Sequence, residues 1–303
     1  INADGCDGLR ISGSGTLDGS GMPVWERFWA GRRADRDFKN LGLDRARLCI
    51  IENSKDVMIS GVTFKDSQFW NLHIYNCRGV RVEDARFIVP DDYPRAPSSD
   101  GIDVDSCQDV VIHNCYFSVT DDCIALKGTK GPFALEDKQS KPVEHIRISD
   151  CLFKRGGGVA TCGSEATVIR DVVVENCTIH ASMPLVRMKL RPDTPQHYED
   201  IHFRNITIDN RSTSLFQIRR WTQYFDPQGQ PEPKSIVRNI TISNVKGTIG
   251  SLGTISGNQE TRISDITVEN VSLNVGNTEF SVGDKIENLV FKNVTVNGQA
   301  FSL

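Results

Sequence analysis

Three aspartates occupy the stretch where chemistry is most legible. Ser98 to Lys127 contains two similar segments, D-G-I-D-V-D from Asp100 and D-D-C-I-A-L-K from Asp121. Laid side by side as adjacent strands, they bring Asp100, Asp121 and Asp122 to one place. Three like charges at that range do not ionise together easily, so one carboxyl should keep its proton and act as an acid while another stays ionised as a base. A purely structural role is the competing reading, in which Asp100 and Asp122 cap strand starts through backbone amides.

The reason to pair the two segments is a repeat that runs almost end to end. Its core is a nonamer: DVMISGVTF from Asp56, GVRVEDARF from Gly79, DVVIHNCYF from Asp109, HIRISDCLF from His145 and DVVVENCTI from Asp171. It continues as DIHFRNITI from Asp200, NITISNVKG from Asn239, DITVENVSL from Asp265 and NLVFKNVTV from Asn288, with a degenerate copy at Gly8. Apolar residues alternate within each copy, as a strand with one buried face requires. A second apolar run falls between copies: NLHI from Asn71, GIDV from Gly101, CIAL from Cys123, LVRMKL from Leu185 and LFQI from Leu215. No helical periodicity of any length is visible. Short strands without room for crossover helices predict an all-β parallel β-helix of about ten coils.

The sixth position of the nonamer reads Asn114, Asp150, Asn176, Asn205, Asn244, Asn270 and Asn293. Stacked Asn side chains at a tight turn can bond along the solenoid axis, and a buried ladder is predicted there. Asn176, Asn205, Asn239, Asn270 and Asn293 each open an Asn-x-Ser/Thr sequon; burial of four of them in the ladder argues against glycosylation. The seventh position reads Cys115, Cys151 and Cys177, then Ile206, Val245, Val271 and Val294, an interior column. The nine cysteines lack metal-like spacing and read as buried free thiols.

A solenoid grows along its axis, so 303 residues fit one domain, 1–303. The net charge of −4 supplies no global attraction for nucleic acid or an anionic membrane. No signal peptide or transmembrane run is visible, and Ile1 reads as falling partway into a coil. A monomer is expected, and nothing calls for a metal or cofactor. Residues 22–47 are irregular, basic and aromatic, suited to capping the solenoid or walling a cleft. If Leu72 and Ile74 point inward, Asn71 and His73 point out, and Trp70 joins the column of Asp100 and Asp122, where a ring face beside carboxylates suits stacking on sugar. Arg187 and Lys189 flank the inward Met188, and Gln217 and Arg219 extend their face by one coil. With Lys127, Arg191 and Arg220 they form a cationic cluster beside the acids, pointing to an anionic ligand.

GIDVDSCQDVVIHNCYFSVTDDCIALKG resembles the active-site region of glycoside hydrolase family 28, the polygalacturonase family, over nearly the whole chain from Ser12 onward. The resemblance implies a right-handed parallel β-helix, with the family's N-terminal lead-in missing. The family's Asn-Thr-Asp stands here as Ser98-Ser99-Asp100, its Asp-Asp as Asp121-Asp122, its Gly-His-Gly as Gly156-Gly157-Gly158, and its Arg-Ile-Lys as Arg187-Met188-Lys189. By that resemblance Asp121 is the general acid, Asp100 and Asp122 position and deprotonate water, and Arg187 and Lys189 hold a uronate carboxylate. Hydrolysis with inversion requires acid and base carboxyls roughly 6.5–9.5 Å apart. Gly157 departs from the family histidine, which implies either room for a bulkier ring or compensation by His73. The implied activity is hydrolysis of α-linked galacturonic acid in pectin, by a secreted or periplasmic enzyme acting on a pectic poly- or oligosaccharide. Alternatives are a hydrolase of rhamnogalacturonan or branched pectin side chains, a catalytically silent carbohydrate-binding β-helix, and a Ca²⁺-dependent lyase on the same architecture.

Overall fold

The computed structural model describes residues 1–303. Its strands join one sheet in which successive coils pair parallel. One column of strands begins with Asn2–Asp4, Cys49–Glu52, Leu72–Tyr75, Ile102–Asp105 and Ile124–Lys127. The register aligns Leu72, Ile102 and Ile124, so the two acidic segments are neighbours as their similarity predicts. Further along, the strands run together as His197–Arg220, Ser235–Ile255 and Thr261–Val282. This is a parallel β-helix.

The corners are built from the first and sixth positions of the nonamer. Asp109 and Asn114, Asp171 and Asn176, Asp200 and Asn205, and Asp265 and Asn270 all have positive φ between 51° and 57°. Asp and Asn tolerate the left-handed region better than other residues with a Cβ, and one such residue turns the chain sharply without breaking the ladder. The Asn ladder bonds along the axis: Asn205 donates to Asn176 at 3.1 Å, Asn244 to Asn205 at 3.1 Å and Asn293 to Asn270 at 2.8 Å. It is exposed, however, contrary to the buried ladder read from the sequence. A left-handed residue at a corner swings its side chain away from the bore, so burial does not shield these sequons.

The bore is filled by the other positions. Cys115, Cys151 and Cys177 are buried in a column that Ile206, Val245, Val271 and Val294 continue, and all nine cysteines are free thiols. At the ninth position Phe64, Phe87, Phe117 and Phe153 stack at 4.9–5.1 Å with 9° between planes, close to the coil repeat. This stack constrains the acidic segment directly. A Cβ at Gly101 would lie 2.8 Å from the Phe117 ring and 2.4 Å from the Cys123 carbonyl oxygen, so only glycine lets Asp100 sit against the next coil.

The segment after the first coil differs from the irregular loop expected. Met22–Ala34 is an α-helix, α1, with Pro23 in its first turn and Arg32 and Arg33 in its last, placements that suit a helix start and the negative end of its dipole. Only Trp25 and Phe28 are buried, too few anchors to create a visible periodic stripe. Trp25 donates its indole N–H to the Ser67 carbonyl at 2.9 Å and packs on Tyr93 at 5.0 Å; Trp29 donates to the Arg95 carbonyl at 2.8 Å. These contacts lay α1 along the side of the solenoid. No helix is long and apolar enough to cross a membrane.

Candidate active site

Backbone pairing brings the three aspartates together. The Gly101 N–H donates to the Asp122 carbonyl at 3.0 Å, Cys123 to Gly158 at 2.9 Å and Gly157 to Asp121 at 2.7 Å. The Asn71 side-chain amide donates to the Asp100 carbonyl at 2.9 Å. Ser99, where the family has threonine, bridges the two acidic coils through its hydroxyl, 2.9 Å from Thr120 Oγ1 and 3.0 Å from the Thr120 N–H. One oxygen of each carboxylate then lies within 4.8 Å of the others. Two oxygens at that separation can each accept a hydrogen bond of about 2.8 Å from one water held between them.

The three carboxyls have different surroundings. Asp122 is buried, and both its oxygens are taken by donors: Lys189 Nζ at 2.7 Å on Oδ2, with Arg187 Nη1 at 2.9 Å and the Thr161 hydroxyl at 2.8 Å on Oδ1. Burial works against its charge, but Lys189 and Arg187 outweigh it and hold Asp122 well below the usual carboxylate range. Asp100 is pushed well above that range, first by burial and then by the charges of Asp121 and Asp103. Within the trio, burial and crowding thus push Asp100 upward. Asp121 is the one member of the trio that is only half-buried. Its Oδ1 accepts from the Asp122 N–H at 3.0 Å.

Beneath the trio, Lys127 of the expected cationic cluster meets an acid that sequence reasoning missed. Asp103 is fully buried, 3.4 Å from Lys127 Nζ, and burial pushes its carboxyl up to about 8 despite Lys127. Lys127 stays charged, because the acids around it, Asp103 and Asp100 foremost, outweigh its burial. Asp100 and Asp103 are thus the two carboxyls pushed upward, and Lys127, Arg187 and Lys189 are the three cations set among the four acids. Asp103 alternates with the inward Ile102 and Val104 on Ile102–Asp105 and so faces out of the bore, the signal that could have found it.

A cleft of about 520 Å³ opens over the acids. Asp100, Asp121, Asp122, Arg187, Lys189 and Trp70 line it; His73, Gln217, Arg219 and Gly157 do not. His73 points outward from the bore yet is buried, edge-on to Trp70 at 5.1 Å, with Nε2 3.2 Å from Asp105. Burial pushes its imidazole down, so it is held neutral and supports Trp70 from below. Asn71, also expected to face out, is buried under the same loops. Gly157 leaves no room for a larger ring: a Cβ there would lie 3.0 Å from Arg187 Nη1 and 3.3 Å from Asp122 Oδ1, and the Gly157 carbonyl accepts from Arg187. Arginine fills the space. The expected cationic cluster also divides, since Arg191 is buried against Asp193 at 2.7 Å and Arg219 and Arg220 are exposed outside the cleft. Trp221 lies under Lys189, 5.1 Å from Nζ to ring, and α1 with its following loop contributes Phe28, Trp29, Arg32, Asn40, Leu41 and Arg47 as one wall.

Known proteins of similar sequence and shape agree with this architecture. A polygalacturonase of Medicago sativa is 26% identical over 253 residues, covering 81% of this chain and 55% of that protein. An exopolygalacturonase of Zea mays is 26% identical over 244 residues, covering 80% and 55%. The chain thus spans about half the length of these relatives. The crystal structure of a hyperthermoactive exopolygalacturonase from Thermotoga maritima superimposes with a TM-score of 0.78 at 21% identity, over 99% of this chain and 72% of that one, and shares its right-handed parallel β-helix. The profile of the glycosyl hydrolases family 28 matches residues 1–298, and the chain belongs to that family.

Proposed function

We propose that this chain hydrolyses glycosidic bonds between galacturonic acid units of a pectin-type polysaccharide, by acid/base catalysis from Asp100, Asp121 and Asp122. The observation that carries this reading is the aspartate trio on the floor of a cleft walled by arginine, lysine and tryptophan. Carboxylates alone suit many tasks; carboxylates among cations and indole faces suit an acidic sugar. The relatives named polygalacturonase support the substrate class.

Each role follows from its surroundings. Asp122, kept ionised by Lys189 and Arg187, takes the proton of a water held between it and Asp100. Asp121, at the cleft side of the trio, delivers a proton to the leaving oxygen. Attack and protonation from opposite sides of the sugar give inversion. The continuous interior from Cys49 to Val296 supports reading the chain as a single domain.

The test is release of reducing ends from polygalacturonate, rhamnogalacturonan and methyl-esterified pectin, with the anomer of the first product read by NMR. Release from polygalacturonate with inverted configuration is expected. Retention would overturn the water-attack assignment, and no release from any polymer would overturn the function.

A further inference from the structure

Asp100 stands at the end of a long loop. Strand Ile102–Asp105 follows it, but no residue from Val89 to Gly101 belongs to a strand, so the ladder does not fix the chain on that side. Side chains hold the main-chain carbonyls instead. Arg155 donates to the carbonyls of Pro90 at 3.0 Å, Asp91 at 3.4 Å, Tyr93, and Pro94 at 3.0 Å. Trp29 takes the Arg95 carbonyl, the Thr120 hydroxyl takes Ala96 at 2.7 Å, and Arg45 takes Pro97 at 2.8 Å.

Arg45 is the last of these holds before the acid, and it reaches furthest. Its Nη2 donates to the Asn40 carbonyl at 3.0 Å, to the Asn40 side-chain oxygen at 3.3 Å and to the Ser98 hydroxyl at 3.3 Å. The guanidinium lies over the Phe28 ring of α1 at 4.6 Å and the Phe69 ring at 4.5 Å. One planar group thus joins α1, the segment after it and the turn before Asp100. Arg45 does not line the cleft; it borders a side hollow of about 200 Å³ with Leu41, Leu43 and Phe69. Ser98 requires such a hold. Its φ is 54°, in the left-handed region that asparagine occupies more readily than serine, and serine stands here where the family has asparagine. A residue with a Cβ persists in that region where its surroundings fix it.

We propose that Arg45 is a positioning residue: its guanidinium fork, tied to Asn40, Pro97 and Ser98, sets where the Asp100 carboxyl stands relative to Asp121 and Asp122. The proposal rests on the catalytic role given to Asp100 above and adds to it that the α1 side of the cleft controls the chemical step without touching substrate. Lysine at this position keeps the charge but has a single donor head, which does not serve three residues from one plane.

Three measurements test it. In kinetics on polygalacturonate, Arg45→Gln and Arg45→Lys each lower kcat by about 10²-fold, the cost of a displaced catalytic group, with KM within about twofold of wild type. Arg45→Lys, whose stem stays against the two rings, carries the test where Arg45→Gln fails to fold. An unchanged kcat in Arg45→Lys, or a raised KM at unchanged kcat, would overturn the proposal. Millimolar guanidinium chloride, entering the hollow that Arg45→Ala enlarges, restores part of kcat in that variant and leaves wild type unaffected; no restoration would count against the fork. Amide hydrogen exchange, which requires no turnover, should quicken in Arg45→Lys over residues 98–101 and stay unchanged in His197–Arg220. Unchanged exchange over 98–101, or faster exchange throughout, would refute positioning. A wild type that cleaves nothing, with exchange over 98–101 still quickened by Arg45→Lys, would overturn the proposed function and leave the positioning of the Asp100 turn standing.

Discussion

Replacing Lys189 with methionine keeps the length of the side chain and removes one of the two cations that hold Asp122. The side chains of the pair are 11% and 1% exposed, so solvent screens it little. Removing one partner of a buried ion pair costs about 3–5 kcal/mol when the survivor is left uncompensated. Here Arg187 and Thr161 stay on Asp122 Oδ1 at 2.9 and 2.8 Å, which lowers the expected cost to about 2–3 kcal/mol at pH 7. The pH dependence fixes the cause. Asp122 has a depressed pKa in the folded protein, so its contribution is present above the ordinary value of 3.8 and is lost as pH falls through the folded value. Without Lys189 the folded value rises, each unit corresponding to about 1.36 kcal/mol, and less stability remains for acid to remove. Urea unfolding of wild type and variant at pH 7 and pH 3 reads the difference. The deficit should be smaller at pH 3, and the low-pH limb of kcat/KM should move upward in the variant as its base protonates sooner. No deficit at pH 7, or an unmoved low-pH limb, would refute the assignment of Asp122 as a carboxylate held ionised by Lys189.

Two further outcomes follow from the same cluster. Asp103→Asn removes one negative charge beside Asp100, so the raised pKa of Asp100 falls and the high-pH limb of activity should move to lower pH; a limb that stays in place would separate Asp103 from the shared proton. Gly157→His, which restores the family residue, should drive Arg187 off Asp122 and lower kcat/KM by about 10-fold or more. Unchanged or improved activity would show that the site accommodates both side chains.

The solenoid was legible because its signals are local and repeated: alternating apolar residues, Asn and Asp at fixed corner positions, and an interior Cys and Val column. The aspartate trio was legible because two similar segments fall on adjacent coils, which fixes their register. Burial of the corner ladder was misjudged, since one-dimensional position does not reveal that a left-handed residue turns its side chain out. Helix α1 escaped because Trp25 and Phe28 alone bury it, and tertiary contact to Ser67 and Tyr93 supplies the rest. Four of the expected site residues do not line the cleft. His73 is buried between Trp70 and Asp105, Arg187 folds into the space beside Gly157, and Gln217 and Arg219 stand outside the cleft. Arg32, Arg47 and Arg95 also line the cleft outside any ion pair, and they lie outside the strands themselves. Gly101 is the clearest physical link between core and site: the Phe117 ring beneath it is why a glycine follows Asp100.

The central claim is that Asp121 delivers the proton for glycosidic cleavage. Its most direct test is reducing-end release from polygalacturonate by wild type and Asp121→Asn side by side, with substrate binding measured on both. The expected result is a rate lower by about 10² to 10⁴ in the variant, the usual share of a general acid, with binding retained. Full activity in Asp121→Asn would contradict the account.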